Sequence, residues 1–490
     1  MSSAQPPSPL VPSRRDVLRH AGAGLAGGGL LSALARADEG NVAGAGPHHA
    51  PRVQRVLYLF MFGGPSQMDL FDHKPELQAR HGQSIDIERR RNRFREAHLL
   101  GSTRKFRRWG ETGQWCSDAF EHLPRHMDKL AVVKSLYTDS FAHGSAVLQM
   151  NSGQIFQGHP SLGTWVTYGL GSGTDDLPPY VVMHDPRGGP ISGPANWTSG
   201  YMPASFQGTL FRSTGDPLLH MGPGPAAGGA REPDELLRER LDLLAGLNER
   251  HAADRPGYSE LQARTRTYHL AQRMRTTAPE ALDLSREDQS TREMYGLEDP
   301  RPDHPLSVGP AVFGRQCLIA RRLLERGVRF VQIYHGGGHQ QQTWDAHHGV
   351  EENLAIHCPE VDRPIAGLLT DLQRRGLLED TLVLWGGEFG RSPVSQQAGD
   401  GQVAASLGRD HNPKACTVWL AGGGIRPGSY GETDEIGSEA VVDRHHVRDL
   451  HATVLHLLGF DHERLTYHHA GFDRKLTGVI EPSLMRGILA

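Results

Sequence analysis

The run Val56-Leu57-Tyr58-Leu59-Phe60-Met61-Phe62, halted by Gly63-Gly64-Pro65, constrains this chain more than any other stretch. An unbroken apolar run without polar alternation describes a strand buried on both faces, and such strands belong to parallel sheets covered by helices on each side. Further runs of the same kind follow at 130–136, 180–183, 328–334, 381–385 and 417–420. Between the later ones lie amphipathic stretches at 312–326, 350–375 and 447–458, the last with Val447, Leu450, Val454, Leu457 and Leu458 at helical spacing. This alternation predicts an α/β fold, an α/β/α sandwich with a mostly parallel central sheet, whose ligands bind at the carboxyl ends of the strands. Residues 231–298 are rich in Arg, Glu, Leu and Ala with few aromatic residues, and read as a helical insertion.

Charge narrows the partners. Across 490 residues, 52 Lys and Arg stand against 56 Asp and Glu, a formal charge of -4, so no basic field exists to hold nucleic acid. The 59 Gly and 32 Pro follow no fixed period and imply many irregular loops, the usual seat of binding sites. The four cysteines, Cys116, Cys317, Cys358 and Cys416, form no C-x-x-C pair and are expected to be buried as small apolar groups.

The amino terminus reads as an address. Ser13-Arg14-Arg15-Asp16-Val17-Leu18-Arg19 precedes a weakly apolar Gly/Ala-rich run at 21–34, and Ala35-Arg36-Ala37 offers small residues to a signal peptidase. Residues 1–37 look like a twin-arginine signal, followed by a polar linker at 38–52 and a domain at 53–480. The apolar run is shorter than the roughly 20 residues of a membrane-spanning helix, and no later segment reaches that length. The mature chain is therefore expected to pass the twin-arginine export machinery, to carry no integral membrane segment and to work in the periplasm or outside the cell. That route carries folded proteins, often with a cofactor in place, which favours a bound metal.

Of 28 histidines, 13 lie from His335 onward, several directly after expected strands among Gly, Asp and Glu. The run at 328–334 leads into His335-Gly-Gly-Gly-His339 and Trp344-Asp345-Ala346-His347-His348, a mixture of imidazole and carboxylate suited to zinc, manganese or iron. The run at 381–385 ends in Gly386-Gly387-Glu388-Phe389-Gly390-Arg391, and the next is preceded by Arg409-Asp410-His411. Glu388 and His411 converge on one rim if those strands are adjacent; Glu388 paired with Arg391 or Arg409 is the alternative. After the first strand, the turn is expected to expose Ser66, Asp69 and Asp72. Asp69 is open to three readings: metal ligand, support for a substrate hydroxyl, or helix cap. Ser66 lacks a G-x-S-x-G setting, which argues against a serine-hydrolase elbow. His143 or Ser145 stands at the amino end of a short helical stretch, where an anion is welcome.

Six separated motifs carry a resemblance. They are 63–75 from Gly63-Gly64-Pro65 to Pro75, His159 to Gly171, Trp344 to His347, Gly387 to Arg391, Gly408 to Asn412, and Asp449 to Thr453. Together they resemble the domain of unknown function 1501 family, exported proteins abundant in planctomycetes, over residues 52–479. That family is similar to sulfatases within the alkaline-phosphatase-like superfamily. The resemblance implies an alkaline-phosphatase-like domain and an exported hydrolase of sulfate or phosphate esters, small molecules or glycans, with one divalent ion: zinc, manganese, iron or calcium. Carried onto this chain, it implies Asp345, His347 and His411 as metal ligands, completed by Glu388 or His143. Glu388 serves otherwise as general base, and Arg391 or Arg409 as the clamp for an anionic group, with Ser66 and Asp69 beside it. No Cys-x-Pro-x-Arg stands in the nucleophile segment, where His143 fills the modified-cysteine slot, so Ser145, Ser66 and water all remain as nucleophiles. The missing nucleophile also supports a rival reading: a non-catalytic envelope protein that binds an anionic glycan or a protein partner.

Overall fold

The computed structural model describes residues 46–89, 93–213, 234–255, 259–300, 302, 304–395 and 407–490. The expected export signal at 1–37 and the first part of the linker lie outside them. The strands that matter here are β1 (Arg55–Met61), β2 (Leu130–Tyr137), β3 (Tyr180–Met183), β4 (Thr209–Phe211), β5 (Phe330–His335), β6 (Thr381–Gly386), β7 (Gly390–Ser395), β8 (Arg409–Asn412), β9 (Cys416–Gly422), β10 (Gly428–Tyr430) and β11 (His445–His446). The helices are α1 (His143–Ser152), α2 (Leu162–Leu170), α3 (Asp234–Ala253), α4 (Ser259–Leu282), α5 (Pro310–Glu325), α6 (Val350–Arg374) and α7 (Val447–Leu457).

The central sheet runs in the order β10-β2-β9-β6-β1-β5-β3-β4, with β11 added beside β2. β1 lies between β6 and β5, parallel to both, and is buried on each face except at Arg55. Its alternate side chains divide the core. Leu57, Leu59 and Met61 pack in one layer with Cys317 and Leu318 of α5 and with Leu354 and Val361 of α6. Val56, Tyr58 and Phe60 face Val147 of α1, Leu162 and Val166 of α2, and Val454 of α7. Each such side chain contributes about 1.5–3 kcal/mol on burial, and covering both faces is what lets an all-apolar strand sit at the centre. The result is the α/β/α sandwich that the apolar runs predict.

One strand departs from the parallel arrangement. β9 is antiparallel to both β6 and β2. Its reason is connectivity: parallel neighbours need a crossover, usually a helix, whereas among the described residues between β6 and β9 the chain makes the antiparallel ribbon β7–β8.

The carboxyl ends of β1, β5 and β6 open on one edge. There Gly63 and Gly64 adopt positive φ, +117° and +78°. A Cβ on Gly63 would lie 2.5 Å from the backbone nitrogens of Trp344 and Asp345, so only a bare residue lets the loop after β5 lie directly on the end of β1. Trp344 N donates to Phe62 O at 2.9 Å and fixes that contact.

Candidate metal centre

One helix start, one loop and one strand converge at this edge. His143 is the first residue of α1, Asp345 and His347 come from the loop after β5, and His411 lies in β8. The β7–β8 register sets Arg391 opposite His411. Ligand atoms of His143, Asp345, His347 and His411 all lie within 4.8 Å of one another.

Asp345 is the hub. Its Oδ1 lies 2.9 Å from His347 Nε2 and 3.2 Å from His411 Nε2, and its Oδ2 lies 3.2 Å from His143 Nε2. Arg391 Nη2 donates to Oδ1 at 2.7 Å. Burial works to raise the Asp345 pKa, but the three imidazoles and the Arg391 guanidinium hold it far below the usual carboxylate range. His347 Nε2 and His411 Nε2 stand 2.8 Å apart.

Hydrogen bonds on the outer side of two of the rings, His411 and His143, place a proton on their Nδ1 atoms. His411 Nδ1 is 2.7 Å from Phe141 O, and a carbonyl only accepts, so that nitrogen is protonated and Nε2 turns its lone pair inward. His143 Nδ1 is 2.6 Å from Glu388 Oε1, while Gly63 N donates to both Glu388 oxygens at 3.0 and 3.1 Å. Its Nε2 is buried and makes no hydrogen bond of acceptable geometry, although Asp345 is close. Rings backed on the outer side by a carbonyl or a carboxylate, as His411 and His143 are, are typical of metal-ligating histidines. These donors fit a divalent cation. Burial would lower the His143 pKa, but flanking Asp345 and Glu388 raise it to about 9; His411 is lowered by burial and by the positive charge of Arg391.

The structure brings Asp345, His347 and His411 together, with His143 as the fourth member and Glu388 one step behind it. Glu388 pairs with neither Arg391 nor Arg409. The other expectations need correction. Ser66, Asp69 and Asp72 are buried, not exposed. Asp69 holds Arg409 in a two-pronged ion pair, Nε to Oδ2 at 2.7 Å and Nη2 to Oδ1 at 3.1 Å, and takes the Ser66 hydroxyl at 2.5 Å. Burial works to raise the Asp69 pKa, but Arg409 lowers it. Arg391 is fully buried; besides Asp345 it donates from Nε to Gly64 O at 2.9 Å and from Nη1 to Arg409 O at 3.2 Å. Both guanidiniums are thus committed inside the protein, where an unpaired charge costs several kcal/mol, and neither is placed to clamp a substrate anion. Ser145 directs its hydroxyl to Ser140 Oγ at 2.6 Å and to Ala142 O.

Residues missed by the sequence reading, Asp185, Arg187, Asn353, His357 and Glu360, form a buried polar network with His335 behind the centre. The signal was available in α6, where Asn353, His357 and Glu360 recur at i, i+4 and i+7 among apolar neighbours. His335, His357 and Glu360 also cluster as possible ligand types. However, the Glu360 carboxylate already accepts from Arg187, Ser307 and Val308 N, so its charge is compensated.

Fold and site together define the class: an α/β/α sandwich with a three-histidine, one-aspartate centre at the carboxyl edge of its sheet. The chain belongs to the family of proteins of unknown function called DUF1501, which matches residues 53–489. No curated protein matches it. Solved structures to which it is similar include a phosphonate monoester hydrolase from Silicibacter pomeroyi, 13% identical, with 70% of this chain and 69% of that chain covered and a TM-score of 0.30. The PsFucS1 sulfatase from Pseudoalteromonas sp. is 12% identical, with 92% and 75% covered and a TM-score of 0.33. The alkaline phosphatase of the Antarctic bacterium TAB5 is 13% identical, with 79% and 96% covered and a TM-score of 0.30.

Proposed function

We propose that this protein is an exported, metal-dependent hydrolase of sulfate or phosphate esters, including those of glycans. The observation that carries the reading is the convergence of His143, Asp345, His347 and His411, whose ligand atoms lie within 4.8 Å of one another. Three nitrogens and one carboxylate oxygen suit zinc, manganese or iron better than calcium, which takes six to eight oxygens. A divalent ion held there would supply Lewis-acid polarisation of an ester oxygen. With His143 protonated, the charges of Asp345, Glu388, Arg391 and His143 cancel in the bare site; a divalent ion that displaced that proton would leave it one unit positive, which suits an anionic ester group.

This chain's own residues do the rest. Arg391 fixes the Asp345 carboxylate through Oδ1. Glu388 holds the Nδ1 proton of His143 and so keeps its Nε2 facing inward. With Ser145 and Ser66 directed elsewhere, water is the nucleophile in this reading. The test is release of nitrophenol from nitrophenyl sulfate, phosphate and phosphonate esters by protein loaded with zinc or manganese. Turnover that disappears in Asp345→Ala is expected. Absence of turnover with metal bound would favour the second reading, an envelope protein that binds an anionic glycan or a partner, which the lack of a side-chain nucleophile supports.

Export by the twin-arginine route belongs to the same proposal and rests on Arg14 and Arg15 with the segments that follow. Fractionation of a bacterial host should find the wild-type chain in the periplasm and the Arg14→Lys, Arg15→Lys variant in the cytoplasm; equal distribution would refute it. No helix among the described residues is long and apolar enough to cross a membrane.

A further inference from the structure

We propose that one face of α6 positions the ligand loop of the metal centre, Asn353 and His357 holding Gln341 and Thr343 and Glu360 acting through His335 on Trp344, next to Asp345. This inference rests on the reading of His143, Asp345, His347 and His411 as ion ligands.

The three α6 residues lie one above another and are almost wholly buried. Asn353 Nδ2 donates to Thr343 O and to Gln341 Oε1, both at 2.8 Å. His357 Nε2 lies 3.0 Å from Gln341 O and therefore donates to it. Glu360 Oε2 lies 2.9 Å from His335 Nε2. On the far side of that ring, Trp344 Nε1 donates to His335 Nδ1 at 3.0 Å. An Nδ1 that accepts leaves the proton of a neutral ring on Nε2, which lies against the Glu360 carboxylate at 2.9 Å without in-line hydrogen-bond geometry. The chain Glu360–His335–Trp344 thus ends one residue from Asp345, and the Trp344 ring sits beside both His335 and His357.

Glu360 is itself anchored. It accepts from Ser307 Oγ at 3.0 Å, Val308 N at 2.7 Å and Arg187 Nη2 at 2.9 Å. Arg187 also grips Asp185, whose Oδ2 takes Gly336 N at 3.0 Å. Both feet of the loop, His335-Gly336 and Thr343-Trp344, therefore stand on one network. Burying so many polar and charged groups costs more than apolar side chains would at the same positions. What the contacts share is residues 335–345, the segment that presents Asp345 to the centre.

The experiment uses the full chain and Zn2+ and Co2+ as probes. Glu360→Gln keeps shape and removes charge; Asn353→Leu keeps volume and removes both loop bonds. Each is expected to weaken Zn2+ binding, measured by chelator competition, by about 10- to 100-fold, the usual effect of losing an outer-shell support. Each should also shift the visible absorption of the Co2+ form, which reports ligand placement. Val454→Ala, in the core of α7, lowers thermal stability without touching this network and should leave affinity and spectrum as in wild type. Folded Glu360→Gln and Asn353→Leu variants with wild-type affinity and spectrum would overturn the positioning role alone. A wild-type chain that binds neither ion would overturn the metal reading, and this inference with it.

Discussion

At the residue scale, proton placement governs what each titratable group does. Asp345 and Glu388 are both carboxylates near His143, yet one faces three imidazoles and the other a single Nδ1–H and the Gly63 amide. The first is a ligand by its surroundings, the second a support. The same logic gives a pH dependence away from the centre. His451 is buried, bonds through Nε2 to Met150 O at 2.9 Å, and has its pKa lowered to about 4 by burial. An unfolded histidine takes up a proton near 6.5, so stability from the neutral ring is complete above that value and is lost as pH falls toward 4. The full shift corresponds to about 3 kcal/mol. His451→Gln keeps an N–H for Met150 but cannot titrate. Denaturant unfolding at pH 7 and 5 should show wild type losing about 2 kcal/mol more than the variant; parallel losses would contradict the assignment.

At the scale of elements, what the sequence makes legible is set by how local the cause is. The apolar runs of β1, β2, β3, β5, β6 and β9 and the amphipathic periods of α5, α6 and α7 are local signals, and they locate those elements within a few residues. The direction of β9 is not local. It goes with the antiparallel ribbon β7–β8 that the described residues between β6 and β9 form, on which the run 417–420 is silent. Arg391 and Arg409 illustrate the harder limit. A guanidinium beside a glycine-rich loop reads alike whether it meets substrate or is turned inward onto Asp345 or Asp69, and only packing decides. His143 joins the ligand set across more than two hundred residues of chain, which no spacing rule reaches. The polar face of α6 was within reach, because buried Asn, His and Glu at helical spacing contradict an otherwise apolar stripe.

At the scale of the whole molecule, the fold acts as a frame that brings the ends of separate strands to one edge and leaves chemistry to the loops. The formal charge of -4 makes no demand for a polyanionic partner. Four histidine and aspartate side chains, backed there by a carbonyl, a carboxylate and a guanidinium, form a cluster that could hold a metal ion. The most direct test is elemental mass spectrometry of the protein purified without chelators, beside the Asp345→Ala, His411→Ala variant. The account predicts close to one equivalent of a transition metal per chain in wild type and none in the variant. A wild-type chain that stays metal-free after reconstitution with zinc, manganese and iron, or a variant that keeps its metal, would contradict it.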